Sequence, residues 1–160
     1  MKKIYLAGPD VFAPNSAVIS HARKTLCEES GFEGLYPANN EANSSVGIYT
    51  ANIRLLRSAD FIIANMTPFR GPSADAGTIF EIGVAKGLNN PVAAYSDNSN
   101  WEYIYGIDIC RYDDIKKEWR DTCEDLIENF GLRDNLMLHY GVTVWRDDFV
   151  QCLEWCKNEI

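Results

Sequence analysis

With 160 residues, the chain has the length of one domain with one sizeable core. A hydrophobic content of 46% is too high for disorder. A formal net charge of −8 argues against a nucleic-acid backbone or an anionic membrane as the main partner. No apolar run reaches the roughly 18 residues of a membrane span. Met1-Lys2-Lys3 leads straight into Ile4-Tyr5-Leu6-Ala7, too short for a signal-peptide core, so a cytoplasmic location is expected. The five cysteines are odd in number and scattered, which speaks against a disulfide framework. Cys152 and Cys156 lie one helical turn apart, but neither His21 nor His139 is spaced to complete a metal site with them. Reduced thiols and no metal are the expectation.

In chain order, Lys3–Ala7 reads as a strand running into Gly8-Pro9-Asp10, the opening of a βαβ unit. Ligands of open α/β sheets collect at the carboxyl ends of strands, which places Tyr5, Gly8, Asp10 and Phe12 near a pocket. There is no GxGxxG and no Walker pattern, so dinucleotide and P-loop readings lack their fingerprints. Ser16–Ser30 reads as a helix with Val18, Ile19, Ala22 and Leu26 on one face, stopped by Gly31. Leu35–Pro37 is a short strand, and residues 38–47 form a polar loop. A helix over Ile48–Ala59 follows, with Ile53 and Leu56 inward and Asn52 along it. Asp60 reads as a backbone partner at the helix–strand junction.

Residues 60–89 organise the rest. Phe61–Ala64 is the apolar run of a buried parallel strand. Met66–Gly77 is a loop dense in Pro and Gly, and a helix is expected from Thr78. Phe80, Ile82, Val84, Ala85 and Leu88 make that helix apolar on most sides and predict its burial. Glu81 then falls in the first turn, where the helix terminus favours its ionised form over the burial that opposes it. Asp75 lies six residues upstream on the loop. A fixed, ionised carboxylate beside a mobile second one makes a nucleophile and acid pair. The same two residues would equally serve as a helix-terminus acid and a turn residue.

Pro91–Tyr95 is the fourth strand. Residues 96–120 are aromatic and acidic without a clean period, an excursion from the sheet. Asp121–Phe130 is expected to be helical, Gly131–Tyr140 a loop with an apolar centre, and Gly141–Trp145 the fifth strand. Asp147 would cap a last helix with Phe149, Cys152, Leu153 and Cys156 inward. Five strands alternating with helices predict one domain over residues 1–160: a doubly wound α/β fold, flavodoxin-like in order, with a five-stranded parallel sheet and helices on both faces.

Several stretches also match a known family. They are Ile4-Tyr5-Leu6-Ala7-Gly8-Pro9 with Phe12, Asn52-Ile53 followed by Ala59-Asp60, Pro68-Phe69-Arg70-Gly71, the run from Asp75 through Gly77, Thr78, Phe80, Glu81 and Gly83 to Ala85, and Asn135-Leu136-Met137-Leu138 with Gly141-Val142. In this order and spacing the sequence resembles the nucleoside 2-deoxyribosyltransferases, from the first strand to the last. The resemblance implies that Glu81 attacks C1′ of a 2′-deoxynucleoside, forming a covalent deoxyribosyl-enzyme that a second base resolves with retention. It implies that Asp75 manages the proton of the nucleobase and that Tyr5 holds the nucleophile. It places Gly8, Phe12, Asn52, Arg70, Gly71, Gly77, Asn135 and Met137 around the substrate. It calls for no cofactor, for a deoxynucleoside and a free base as substrates, and for a homodimer or higher homo-oligomer in which Asn135 reaches a neighbour's site. Asn52 stands where the family can have an aspartate, which leaves purine against pyrimidine preference open. The alternatives are a 2′-deoxynucleoside 5′-phosphate N-hydrolase and a non-enzymatic nucleotide-binding module. In those hydrolases the first loop resembles Gly-Ser-Ile-Arg. Here it is Gly8-Pro9-Asp10-Val11, whose acid would repel a phosphate, leaving Arg70 as the candidate cation.

Overall fold

A computed structural model describes residues 1–37, 44–97 and 110–159. Its centre is a parallel sheet made of β1 (Lys2–Ala7), β2 (Phe32–Leu35), β3 (Phe61–Asn65), β4 (Val92–Tyr95) and β8 (Val144–Arg146). The spatial order is β2-β1-β3-β4-β8, which is the flavodoxin-like order 2-1-3-4-5 when only the strands of this sheet are counted. β3 and β4 are buried along their whole length, so they read as unbroken apolar runs rather than alternating ones.

Side-chain alternation along β1 sorts the core into two layers. Tyr5 and Ala7 join Ile62 and Ala64 under α2 (Ser45–Ser58) and α3 (Ala76–Gly87), where Leu56, Ile82 and Ala85 close the layer. Ile4 and Leu6 join Phe61 and Ile63 on the opposite face, under α1 (Ser16–Glu29) and α5 (Phe149–Asn158). Cys27, Cys152 and Cys156 are free thiols buried in this second layer, each pushed up to about 12 by burial. Among the described residues, no helix is long and apolar enough to cross a membrane.

Several local expectations are corrected. The inward face of α1 is only partly the expected one: Ser20 and Cys27 are buried and Leu26 packs against the core, while Val18 and Ala22 are exposed. Ser16 pairs with the Tyr36 hydroxyl at 3.1 Å, and Arg23 reaches Asp10 and Tyr95, so these polar groups are satisfied where they stand. α2 starts at Ser45, because the Ser44 side chain accepts from the Gly47 amide at 3.1 Å and caps it. Residues 121–130 are not helical. β5 (Cys110–Asp113), β6 (Glu118–Asp121) and β7 (Leu126–Ile127) form a separate antiparallel sheet. β5 and most of β6 fall in the excursion expected over 96–120, and β7 in the stretch expected to be helical. Residues 98–109 of the excursion and 38–43 of the polar loop lie outside the described residues. The second half of the loop expected over Gly131–Tyr140 is a short helix, α4 (Leu136–Gly141), capped by Asn135. The last helix is capped by Asp148 rather than Asp147. Asp60 accepts from the Lys3 amide at 2.8 Å, the junction role expected of it.

Candidate active site

Tyr5 points from β1 toward α3 and is fully buried. Its hydroxyl donates to Oε1 of Glu81 at 2.5 Å. Burial, with the neighbouring carboxylate, drives the Tyr5 phenol far above its ordinary range, so it is held protonated as a donor. Glu81 is not in the first turn of its helix. α3 begins at Ala76, one turn's worth of residues earlier than Thr78 would allow, because Asp75 is the cap. Glu81 is therefore the sixth helical residue, beyond the reach of most of the helix-terminus field. Burial wins: the Glu81 carboxyl is raised from 4.5 to about 7, with the Tyr5 hydrogen bond pulling it down and the Asp75 charge pushing it up. The expectation that the lowering influences would dominate is overturned, since the helix terminus that was to supply them is too far away. Phe80 also fails as an apolar wall. It is 51% exposed and leans on Tyr49, whereas Ile82 is buried.

Asp75 is anchored rather than mobile. Its Oδ2 accepts from the Thr78 amide at 3.0 Å and from the Thr78 hydroxyl at 3.3 Å. Gly77 leaves the room for this, since a Cβ there would lie 2.9 Å from Asp75 Oδ2. Tyr5, Glu81 and Asp75 thus form one polar group at the start of α3, with a carboxyl that titrates near neutrality.

The loop after β1 forms the next wall. Gly8 has φ 151°, and a Cβ on it would meet Asn65 Cβ at 2.7 Å. Only glycine fits both constraints. Asp10 then accepts from Asn65 Nδ2 at 3.1 Å and lies 3.3 Å from Arg23, which also donates to the Tyr95 hydroxyl. Arg23 and Asn65 were invisible as site residues because their partners are remote in the sequence. Arg23 also supplies the cation that the first loop itself lacks. Phe12 does not close the core. It is 55% exposed and stacks on Phe69, with ring centroids 5.3 Å apart and planes 12° from parallel. The Arg70 guanidinium covers the Phe69 ring at 4.7 Å and the Phe12 ring at 5.3 Å. Such a stack suits a planar ligand.

The remaining candidates are less gathered. Asn52 is half-buried within α2, and Gly71 is exposed with open space around its Cα. Asn135 caps α4 by accepting from the Met137 amide at 2.9 Å and donates to Glu128 at 3.2 Å. Met137 is 74% exposed. A cavity of about 410 Å³ lies between Pro72, Leu126–Glu128 and the start of α4, lined by Asp134 and Asn135 but by none of Tyr5, Asp75 or Glu81.

The raised Glu81 pKa predicts a pH-dependent stability. In the unfolded chain the carboxyl ionises from about 4.5, whereas in the folded chain it keeps its proton to about 7. The folded state therefore binds more protons between these values, and stability falls as pH rises through the window. At about 1.4 kcal/mol per unit, the charged group costs on the order of 3 kcal/mol above pH 7. Glu81→Gln should raise the melting temperature by roughly 5–10 °C at pH 8 and leave it nearly unchanged at pH 4.5. Equal shifts at both values would contradict the assignment.

The comparisons with known proteins concern the family and the fold. A 2-desoxiribosyltransferase from Leishmania mexicana superposes with a TM-score of 0.81 at 32% identity, covering 99% of this chain and 98% of the other. An uncharacterized protein of Schizosaccharomyces pombe is 29% identical over 151 residues, 85% of this chain and 69% of its own length. The CMP N-glycosidase of Clostridium botulinum shares the fold, with a TM-score of 0.54 at 15% identity, covering 96% of this chain and 99% of the other. The family model for nucleoside 2-deoxyribosyltransferase matches residues 4–137, and the chain belongs to that family.

Proposed function

We propose that the protein exchanges the nucleobase of 2′-deoxyribonucleosides through a deoxyribosyl ester on Glu81. The observation that carries this reading is the Tyr5–Glu81 hydrogen bond in a desolvated setting, with Asp75 close enough to raise the Glu81 carboxyl. Tyr5 holds Oε1, which presents Oε2 to C1′. The Glu81–Asp75 pair reacts in the form that holds one proton, with that proton on Asp75 and Glu81 as the carboxylate. Attack forms the C1′–O bond as the C1′–N bond breaks, and the departing electron pair takes the proton from Asp75. In the second half a new base attacks C1′, the ester opens, Glu81 recovers its carboxylate, and the proton of the incoming base returns to Asp75. Two inversions give net retention. A planar base rests against the Phe12–Phe69 stack, and the anchored Gly8–Phe12 loop borders the sugar. Arg70 caps that stack, Gly77 leaves room for Asp75, and Asn52 and Gly71 contact the substrate less closely. Exposed Met137 and Tyr140 suit a homo-oligomer in which Asn135 reaches the neighbouring site.

The N-hydrolase alternative requires a site for a 5′-phosphate. Arg23 does reach the first loop, but it is engaged by Asp10 and Tyr95, and the Asp10 carboxylate remains there. This favours an uncharged 5′-hydroxyl over a phosphate. Incubation with a 2′-deoxynucleoside and a different free base tests the reading. The exchanged nucleoside should accumulate; base release with no incorporation would replace transfer by hydrolysis.

Tyr5→Phe removes the one hydrogen bond that lowers the Glu81 carboxyl and leaves the burial in place. A hydrogen bond to a charged group contributes about 1.5–3 kcal/mol, or roughly one to two pKa units. The acid limb of kcat/KM, expected near pH 7 in the parent, should move up by that amount in the variant. A pH–rate profile with an unmoved limb would remove Tyr5 from this role.

A further inference from the structure

Asp134 lies outside every motif considered above, yet it ties the loop before α3 to α4. Its Oδ1 accepts from the Ser73 hydroxyl at 2.6 Å and from the Asn135 amide at 2.7 Å. Its Oδ2 accepts from the Ala74 amide at 3.2 Å. Ser73 and Ala74 immediately precede Asp75, and Asn135 is the cap of α4. One carboxylate thus holds both the residues leading into Asp75 and the start of the helix that packs beside α3. The loop itself is rich in Gly and Pro and open at Gly71. Besides Asp134, the Phe69 amide donates to the Ser73 carbonyl at 3.1 Å and Ala74 is buried, so Asp134 is the side-chain tie that joins this stretch to α4.

We propose that Asp134 is a positioning residue for Asp75: by anchoring Ser73 and Ala74 it sets where the Asp75 carboxyl stands relative to Glu81. This rests on the reading of Asp75 as the acid that serves the departing base. The Asp134 carboxylate is taken up by Ser73, Ala74 and Asn135, and it acts through them. On the other side Asp75 is held by its own helix start, its side chain through Thr78 and its carbonyl through the Ile79 amide at 2.9 Å. Releasing the upstream side lets the cap pivot, and a displacement of about 1 Å at a proton-transferring group can lower turnover by roughly 10²-fold.

The test is a double-mutant cycle on turnover, measured as base release and exchange from a saturating 2′-deoxynucleoside. Asp134→Ala should lower kcat by roughly 30–100-fold with KM changed less than about threefold. In an Asp75→Asn background the same substitution should lower kcat by less than about threefold, because nothing remains to be positioned. A purely structural role predicts equal factors in both backgrounds, and that result overturns the proposal, as does an Asp134→Ala variant with parental kcat. If Asp134→Ala does not fold, Ser73→Ala enters the same cycle with a smaller expected factor of roughly 3–10-fold and the same two opposed outcomes. An Asp75→Asn single variant with full turnover marks a different failure: it removes the acid role of Asp75, and the proposal falls with it.

Discussion

Glu81→Ala is expected to abolish nucleobase exchange while a 2′-deoxynucleoside still binds. Tyr5 is wholly enclosed, and its hydroxyl is committed to the Glu81 carboxylate at 2.5 Å. A carboxyl raised to about 7 carries a thermodynamic penalty that folding alone gives no reason to keep. It is retained in a helix whose other inward residues are Thr78, Ile82 and Ala85. A carboxylate whose proton affinity is raised toward pH 7 is a stronger nucleophile than an ordinary one, and it leaves again as the anion when the ester opens. Removal of a covalent nucleophile typically lowers turnover on the order of 10⁵–10⁶-fold. Binding should persist, because the aromatic stack of Phe12 and Phe69 and the Gly8–Asp10 loop do not depend on Glu81. Equilibrium dialysis with a labelled deoxynucleoside separates the two quantities. Loss of binding together with activity would make Glu81 an affinity group, and full exchange in the variant would make the site something other than an active site.

Asp75→Asn is expected to slow exchange by roughly 10²–10⁴-fold, the usual worth of a positioned acid or base. The substitution keeps an acceptor for the Thr78 amide, so the helix start survives and the loss falls on proton transfer. It also removes the charge that pushes the Glu81 carboxyl upward, so the acid limb of the residual activity should move below the parental position near pH 7. The leaving base offers a second reading of the same variant. A nucleoside whose base departs without protonation should lose much less rate than one whose base needs it. Equal losses for both kinds of base would contradict the acid role and leave Asp75 as a cap alone.

The architecture was legible because the sheet is parallel and covered on both faces. Phe61-Ile62-Ile63-Ala64 can be little else than an interior strand, and β1 and β4 were readable in the same way. β2 lies at Phe32–Leu35 rather than Leu35–Pro37 and β8 at Val144–Arg146 rather than Gly141–Trp145, since neither is an unbroken apolar run. The start of α3 was misjudged because two adjacent candidates, Asp75 and Thr78, are both good caps. The first takes the role and the second becomes its hydrogen-bond partner. That shift of a few residues moved Glu81 out of the first turn and reversed the sign expected for its titration. Residues 110–127 resisted reading because short antiparallel strands that bury little on either face carry no strong period. The polar partners Arg23, Asn65 and Asp134 were hidden for another reason. Each acts on a residue 13 to 61 positions away, as in the Asn65–Asp10 and Asp134–Ser73 pairs, so only the fold brings them together. The pair that matters most, Tyr5 and Glu81, is separated by 76 positions. It was within reach because the resemblance linked the two residues and the carboxyl end of the first strand was expected to border the pocket.

The central claim is a covalent bond between Glu81 and C1′ of the sugar. Enzyme mixed with a 2′-deoxynucleoside in the absence of any acceptor base, quenched in acid and digested for mass spectrometry, tests it most directly. A deoxyribosyl adduct on the peptide that contains Glu81, absent from Glu81→Ala and discharged when a free base is added before the quench, is the predicted result. An adduct on another peptide, or one that persists in Glu81→Ala, would contradict it.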